Sequence, residues 1–221
     1  MTRKVVSILL GTLALPWSAL NVSFAAPLNR VDFSAAAVDI DFEGFPTHTQ
    51  ISTQYQSQGV VFTTAGSSPQ ANNDNAASYG PLAAGNILAT GSSLGSSTIE
   101  MSFIDPVSNL PAATSGVGAD IIFRDTLSTA TLEVFDAAMM SLGSVTTAPD
   151  AGPVDEVFLG FGAPGIYKAV FTFAVNDSFA GIDNLIFEPV PEPTALILCV
   201  AAFFSLSMCR RNRWTANGDW A

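Results

Sequence analysis

Cysteine is almost missing from this chain of 221 residues: only Cys199 and Cys209 occur, both in or at the edge of a C-terminal apolar stretch. The long middle of the sequence, residues 26 to 190, therefore has no disulfide, no thiol nucleophile and no cysteine ligand for a metal. Tryptophan is absent from it as well, since Trp17 precedes it and Trp214 and Trp220 follow it. Its single histidine is His48, and neither Gly-x-Ser-x-Gly nor His-Glu-x-x-His occurs. A serine triad can be assembled in space without sequence adjacency, but Pro46-Thr47-His48-Thr49-Gln50 has the composition of an exposed turn. Many acids give many possible carboxylate pairs for glycoside cleavage, yet nothing marks any pair as buried. These absences point away from an enzyme.

Basic residues are scarce too. Between 26 and 190 only Arg30, Arg124 and Lys168 are basic, against seventeen Asp and Glu, a net charge of −14. Such a surface repels phosphate backbones and excludes nucleic-acid binding. Divalent cations and neutral, hydroxyl-rich partners suit it better. About 165 residues make one domain, large enough to bury a core without covalent staples.

What is present is period-two alternation in short runs, punctuated by Gly, Pro, Asn and Ser, with no helical stripe. The clearest strand is Thr98 to Phe103, in which Ile99, Met101 and Phe103 face one side. Further strands are expected at Val38 to Glu43, Gly59 to Thr64, Asn86 to Ala89, Val117 to Phe123, Thr131 to Asp136, Leu142 to Thr146, Asp155 to Phe161, Ile166 to Phe173 and Gly181 to Phe187. About ten strands without intervening helices predict an all-β fold, a two-sheet antiparallel sandwich. Phe42, Phe62, Phe103, Phe123, Phe135, Phe158, Phe161, Phe171, Phe173 and Phe187 are expected to fill its core. Tyr55, Tyr79 and Tyr167 are left as candidates for exposed stacking. The irregular stretch 65–85 is either disordered or a weak binding loop.

Both ends look like addresses. Arg3 and Lys4, an apolar run from Val5 to Leu15, and Ser23-Phe24-Ala25 form a secretory signal peptide, 1–25, with cleavage expected after Ala25. At the other end Val190-Pro191-Glu192-Pro193-Thr194 leads into an uncharged run ending at Cys209, followed by Arg210, Arg211 and Arg213. The 16 residues from 194 to 209 are just long enough to cross ~30 Å of hydrocarbon when flanking arginines snorkel. The three arginines orient that helix with the C-terminus inside and the preceding domain outside. Pro191 and Pro193 keep the motif extended above the membrane.

This order of elements closely resembles the PEP-CTERM sorting signal. The resemblance implies recognition of Pro191, Glu192 and Pro193 by an exosortase at the membrane, followed by delivery to the cell surface or the exopolysaccharide matrix. The expected layout is signal peptide 1–25, linker 26–37, sandwich 38–188, sorting signal 189–214 with its transmembrane helix 194–209, and cytoplasmic tail 215–221.

Asp39-Ile40-Asp41-Phe42-Glu43-Gly44 and Gly181-Ile182-Asp183-Asn184-Leu185-Ile186-Phe187, at the two ends of the domain, resemble the sandwich of many PEP-CTERM proteins and of jelly-roll carbohydrate-binding modules. In that likeness the first and last strands pair, and an acid from each holds a structural calcium, here Glu43 and Asp183 with Asp41 as a third. Period two puts Asp39, Asp41 and Glu43 on one strand face and Asp183 with Leu185 on one face of theirs. The alternative for these acids is a solvated outer face. The function expected is that of an exported envelope or matrix protein, structural or adhesive. A carbohydrate-binding module with a defined glycan site is the alternative, ahead of a secreted polysaccharide-active enzyme.

Glu192→Ala should leave export intact but strand the protein as a full-length inner-membrane species in a host with a matching exosortase. An unchanged mature mass and location would remove the main support for sorting.

Overall fold

A computed structural model describes residues 25–63, 69–72, 85–89, 95–123, 129–147, 155–175 and 180–189. Residues 1–24, most of the stretch 65–85 with Tyr79, Pro191-Glu192-Pro193, the helix 194–209 and Arg210, Arg211 and Arg213 lie outside the described residues, whereas Ala25 is described and exposed.

The described residues form twelve strands: β1 (Ala26–Leu28), β2 (Val38–Ile40), β3 (Val60–Thr63), β4 (Gln70–Asn72), β5 (Ile87–Ala89), β6 (Gly95–Phe103), β7 (Thr114–Phe123), β8 (Thr129–Phe135), β9 (Ser141–Thr147), β10 (Asp155–Ile166), β11 (Lys168–Val175) and β12 (Ala180–Phe187). They assemble into two antiparallel sheets. One runs β1-β10-β7-β12-β5-β4, with β2 also paired to β12; the other runs β3-β6-β11-β8-β9. The alternation read from Thr98 to Phe103 holds, because Ile99, Met101 and Phe103 are buried while Thr98, Glu100 and Ser102 face outward.

The two inner faces meet in a single apolar cluster. Phe42, Phe62, Phe103, Phe161, Phe171, Phe173 and Phe187 all belong to it. Burial of such a side chain stabilises the fold by roughly 1.5–3 kcal/mol, so aromatic packing does what disulfides do in smaller secreted domains. Two expected core phenylalanines are elsewhere. Phe135 and Phe158 are half-buried rather than in that cluster. Gly143 on β9 (φ 148°) leaves space for Phe161: a Cβ there would lie 2.5 Å from that ring.

Strand β12 is the junction of the larger sheet. One edge pairs with β7, while the other pairs first with β5 at Gly181 and Ile182 and then with β2 at Leu185–Phe187. The expected pairing of the domain's two ends is therefore present. A register shift between Asp183 and Ile186, with Asn184 at φ 45°, makes the change of partner possible. It also breaks period two: Ile182 and Leu185 both enter the core, so Asp183 and Leu185 do not share a face. Likewise β2 stops at Ile40, because Phe42 adopts φ 57° to reach the core and the Asp41 carboxylate accepts the Glu43 N–H at 3.1 Å. Asp41 and Glu43 thus sit in a bend, not on one strand face with Asp39.

Residues 26–37 are not a linker. β1 pairs with the edge of β10, and Leu28 lies over Gly116 and Gly162, where a Cβ would come within 3.2 and 3.0 Å of it. Phe158 lies in the same way against Gly118 and Gly160. Ser34 donates through its N–H and its hydroxyl to the two oxygens of Glu188, each at 2.7 Å. The strand expected at Ile166 to Phe173 is divided by Tyr167, which turns the chain from β10 into β11.

Candidate functional site

The carboxylates singled out from sequence lie around the β12 junction. Glu43 accepts the Asn86 N–H at 2.7 Å, and Asp183 accepts the Asn184 N–H at 2.7 Å. Burial raises the Asp183 carboxyl to about 6; the Asn184 amide opposes this, and the charges of Asp120, Glu43 and Glu156 add to it. Among the described residues, no group of three or more His, Cys, Asp or Glu side chains is placed to hold a metal ion.

Asp120, directly across from Asp183 on β7, already has a cation. Arg30 Nη2 lies 2.7 Å from its Oδ2, donates to the Asn184 carbonyl at 2.9 Å, and stacks 5.0 Å over the Phe158 ring. Asn184 Nδ2 donates to the same Asp120 oxygen at 3.0 Å. The guanidinium therefore ties the N-terminal strap to the bulge of β12. Sequence reading missed this cluster because its members lie 90 and 154 positions apart. One signal was available: Arg30 is one of only three basic residues in so acidic a segment and is expected to find an acid.

The stacking candidates separate cleanly. Tyr55 is a core residue, packed edge-on against Phe42, Phe45 and Phe62. Burial, with Asp41 and Glu43 nearby, pushes its phenol up to about 12, so it stays protonated. Tyr167 is half-buried at one end of the sandwich, between two recesses. One, of about 230 Å³, is lined by Phe103, Ile104, Pro111, Met139 and Lys168 among others. The other, of about 420 Å³, is lined by Asp105, Ser108, Leu110, Pro111, Ala112 and Ala113.

The backbone fixes Tyr167 from both sides, since its N–H donates to the Phe135 carbonyl at 2.8 Å and its carbonyl accepts the Phe103 N–H at 3.0 Å. The flanking loops are capped in the same manner. Asp105 accepts the Val107 and Ser108 amides, and the Ser108 and Val107 bonds hold its carboxyl below the usual range. Asp136 accepts the Ala138 and Met140 amides, both at 2.8 Å. Val107, Leu110, Met139 and Met140 are more than half exposed on these two loops. The result is a preorganised, aromatic-centred, mostly apolar end. His48, by contrast, is exposed in a turn at φ 68°.

No family model matches the chain, and no curated protein matches it. Solved structures show remote likeness. The enzymatically active domain of bacteriophage CBA120 tailspike protein 4 is 18% identical with a TM-score of 0.36, over 63% of this chain and 20% of that one, so the chain spans about a fifth of its length. The carbohydrate-binding module TmCBM61, solved with β-1,4-galactotriose, is 12% identical over 68% of this chain and 99% of the module, with a TM-score of 0.38. The K2 cleaved adhesin domain of Lys-gingipain is 13% identical over 70% of this chain and 98% of that one, with a TM-score of 0.37. Values this low assign no function.

The Asp183 carboxyl, raised from 3.8 to about 6, favours the folded state most below pH 3.8, and that contribution is lost as the pH rises through 6. Asp183→Asn should therefore melt higher than the parent at pH 7, and the difference should shrink between pH 6 and pH 4. Parallel melting curves across that window would contradict the assignment.

Proposed function

We propose that this is an exported, non-catalytic protein of the cell envelope or exopolysaccharide matrix, with a jelly-roll-like sandwich that adheres to polysaccharide through its Tyr167 end. Sorting by an exosortase, through Pro191-Glu192-Pro193, the membrane helix and Arg210, Arg211 and Arg213, is the proposed route after signal cleavage at Ala25. The observation that carries the adhesive reading is Tyr167 itself: an aromatic ring set between two recesses and fixed through its backbone to both neighbouring strands. An amphipathic ring suits a sugar, whose C–H faces pack against apolar surface while its hydroxyls reach polar groups at the edge.

Calcium is a second, subsidiary proposal. Glu43 and Asp183, whose charges oppose each other, would be its carboxylate ligands, and the buried Asn86 Oδ1, which has no hydrogen-bond partner, adds an acceptor next to Glu43.

Tyr167→Ala should weaken retention on polysaccharide by about tenfold or more, the scale of removing a central aromatic anchor, with little change in melting temperature. Retention equal to the parent's would remove Tyr167 from the site, and concentration-dependent association of the parent without any glycan affinity would make the exposed apolar end a self-contact instead. Separately, excess calcium should raise the melting temperature of residues 26–190 over that with chelator, and Asp183→Ala should abolish the rise. Identical parent curves would remove the metal from these acids.

A further inference from the structure

We propose that the outer face of the five-stranded sheet is the track along which a neutral, linear polysaccharide lies once its end is held at Tyr167; the proposal rests on the glycan reading above. The strand registers place Thr98 opposite Thr172, Thr172 opposite Thr131, and Thr131 opposite Thr146, so four threonines form one continuous row across β6, β11, β8 and β9. All four lie on the outer face, because Ile99, Phe171, Leu132 and Val145, their chain neighbours, belong to the core or pack against it. Thr146 is exposed and the other three are half-buried. The Thr131 and Thr146 hydroxyls are 2.8 Å apart and fix each other. At a strand spacing of ~4.8 Å the row spans about 14 Å across the sheet, so a chain that leaves Tyr167 along β11 crosses it at Thr172 and Thr131 and meets their hydroxyls there.

The face is continuous with the Tyr167 recess. Lys168 and Ser102 line that recess and form a cross-strand pair on the same outer face as the threonines. The next pairs along are Glu100 with Val170 and Val170 with Glu133. Lys168 lies 2.5 Å from Glu100, so its charge is neutralised and Glu133 remains. An acidic polymer would meet this charge on a strongly acidic segment, whereas a neutral chain meets hydroxyls and carboxylate acceptors. The other sheet has its outer face partly covered by residues 26–37, with Leu28 on Gly116 and Gly162 and Arg30 over Phe158.

The test is affinity electrophoresis of the full chain in detergent through gels containing galactan, glucomannan or mixed-linkage glucan, with alginate and polygalacturonate as acidic counterparts. The parent should be retarded by at least one neutral polysaccharide and by neither acidic one. The double variant Thr131→Val, Thr172→Val should bind that polysaccharide about tenfold more weakly, as expected for two lost hydrogen bonds, at an unchanged melting temperature. Thr146→Lys, at the exposed end of the row, should block it without touching the core and serves if the double variant does not fold. Retardation that is lost in Tyr167→Ala but kept in both threonine variants would overturn the track and leave the Tyr167 site standing. Acidic polysaccharides binding as tightly as neutral ones would overturn it too. No retardation of the parent by any polysaccharide would overturn the glycan reading and the track together.

Discussion

The larger sheet depends on β12 pairing with three strands at once. A straight strand has two edges and serves two neighbours; β12 serves β7 on one side and both β5 and β2 on the other because it bulges at Asp183–Asn184. The bulge leaves polar groups to satisfy away from water. Arg30 meets this need by donating to the Asn184 carbonyl while its charge pairs with Asp120. The N-terminal strap, the first core segment and the last strand are therefore one structural unit. Removing Arg30 would leave Asp120 without its cation next to the already uneasy Asp183.

The two sheets differ in what they carry. The larger sheet holds the domain's two ends together, and its outer face is partly occupied by the strap. The smaller sheet closes the core with alternating apolar residues and presents hydroxyls outward. Its end merges with the recesses around Tyr167, where turns capped by Asp105 and Asp136 keep two loops in fixed shapes. Rigid loops cost less entropy to organise on binding than mobile ones. The proposed glycan reading rests on this end of the sandwich.

Much of the sheet structure was legible in the sequence because alternation is a local property. Thr98 to Phe103 and Thr131 to Asp136 show it plainly, and the strands there match within a few residues. β1 and β4 escaped notice because Ala26-Pro27-Leu28 carries a proline and Gln70-Ala71-Asn72 only one small apolar residue, so neither shows a strand pattern. The shared face of Asp39, Asp41 and Glu43 failed for a local reason too, a left-handed Phe42 that no propensity announces. Long-range facts were illegible in principle. The Arg30–Asp120–Asn184 cluster, the burial of Tyr55 and the alignment of four threonines depend on register between strands distant in sequence. Tyr167 could be named as a stacking candidate, but only the turn between β10 and β11 places it between two recesses.

The most direct test is an amide chemical-shift titration of residues 26–190 with a neutral oligosaccharide from whichever polysaccharide retards the protein. The account predicts that perturbed amides cluster at 102–112, 135–140 and 167–172 and continue to Thr131. Perturbation confined to 40–45, 85–87 and 183–184, or to the strap at 26–37, would contradict it.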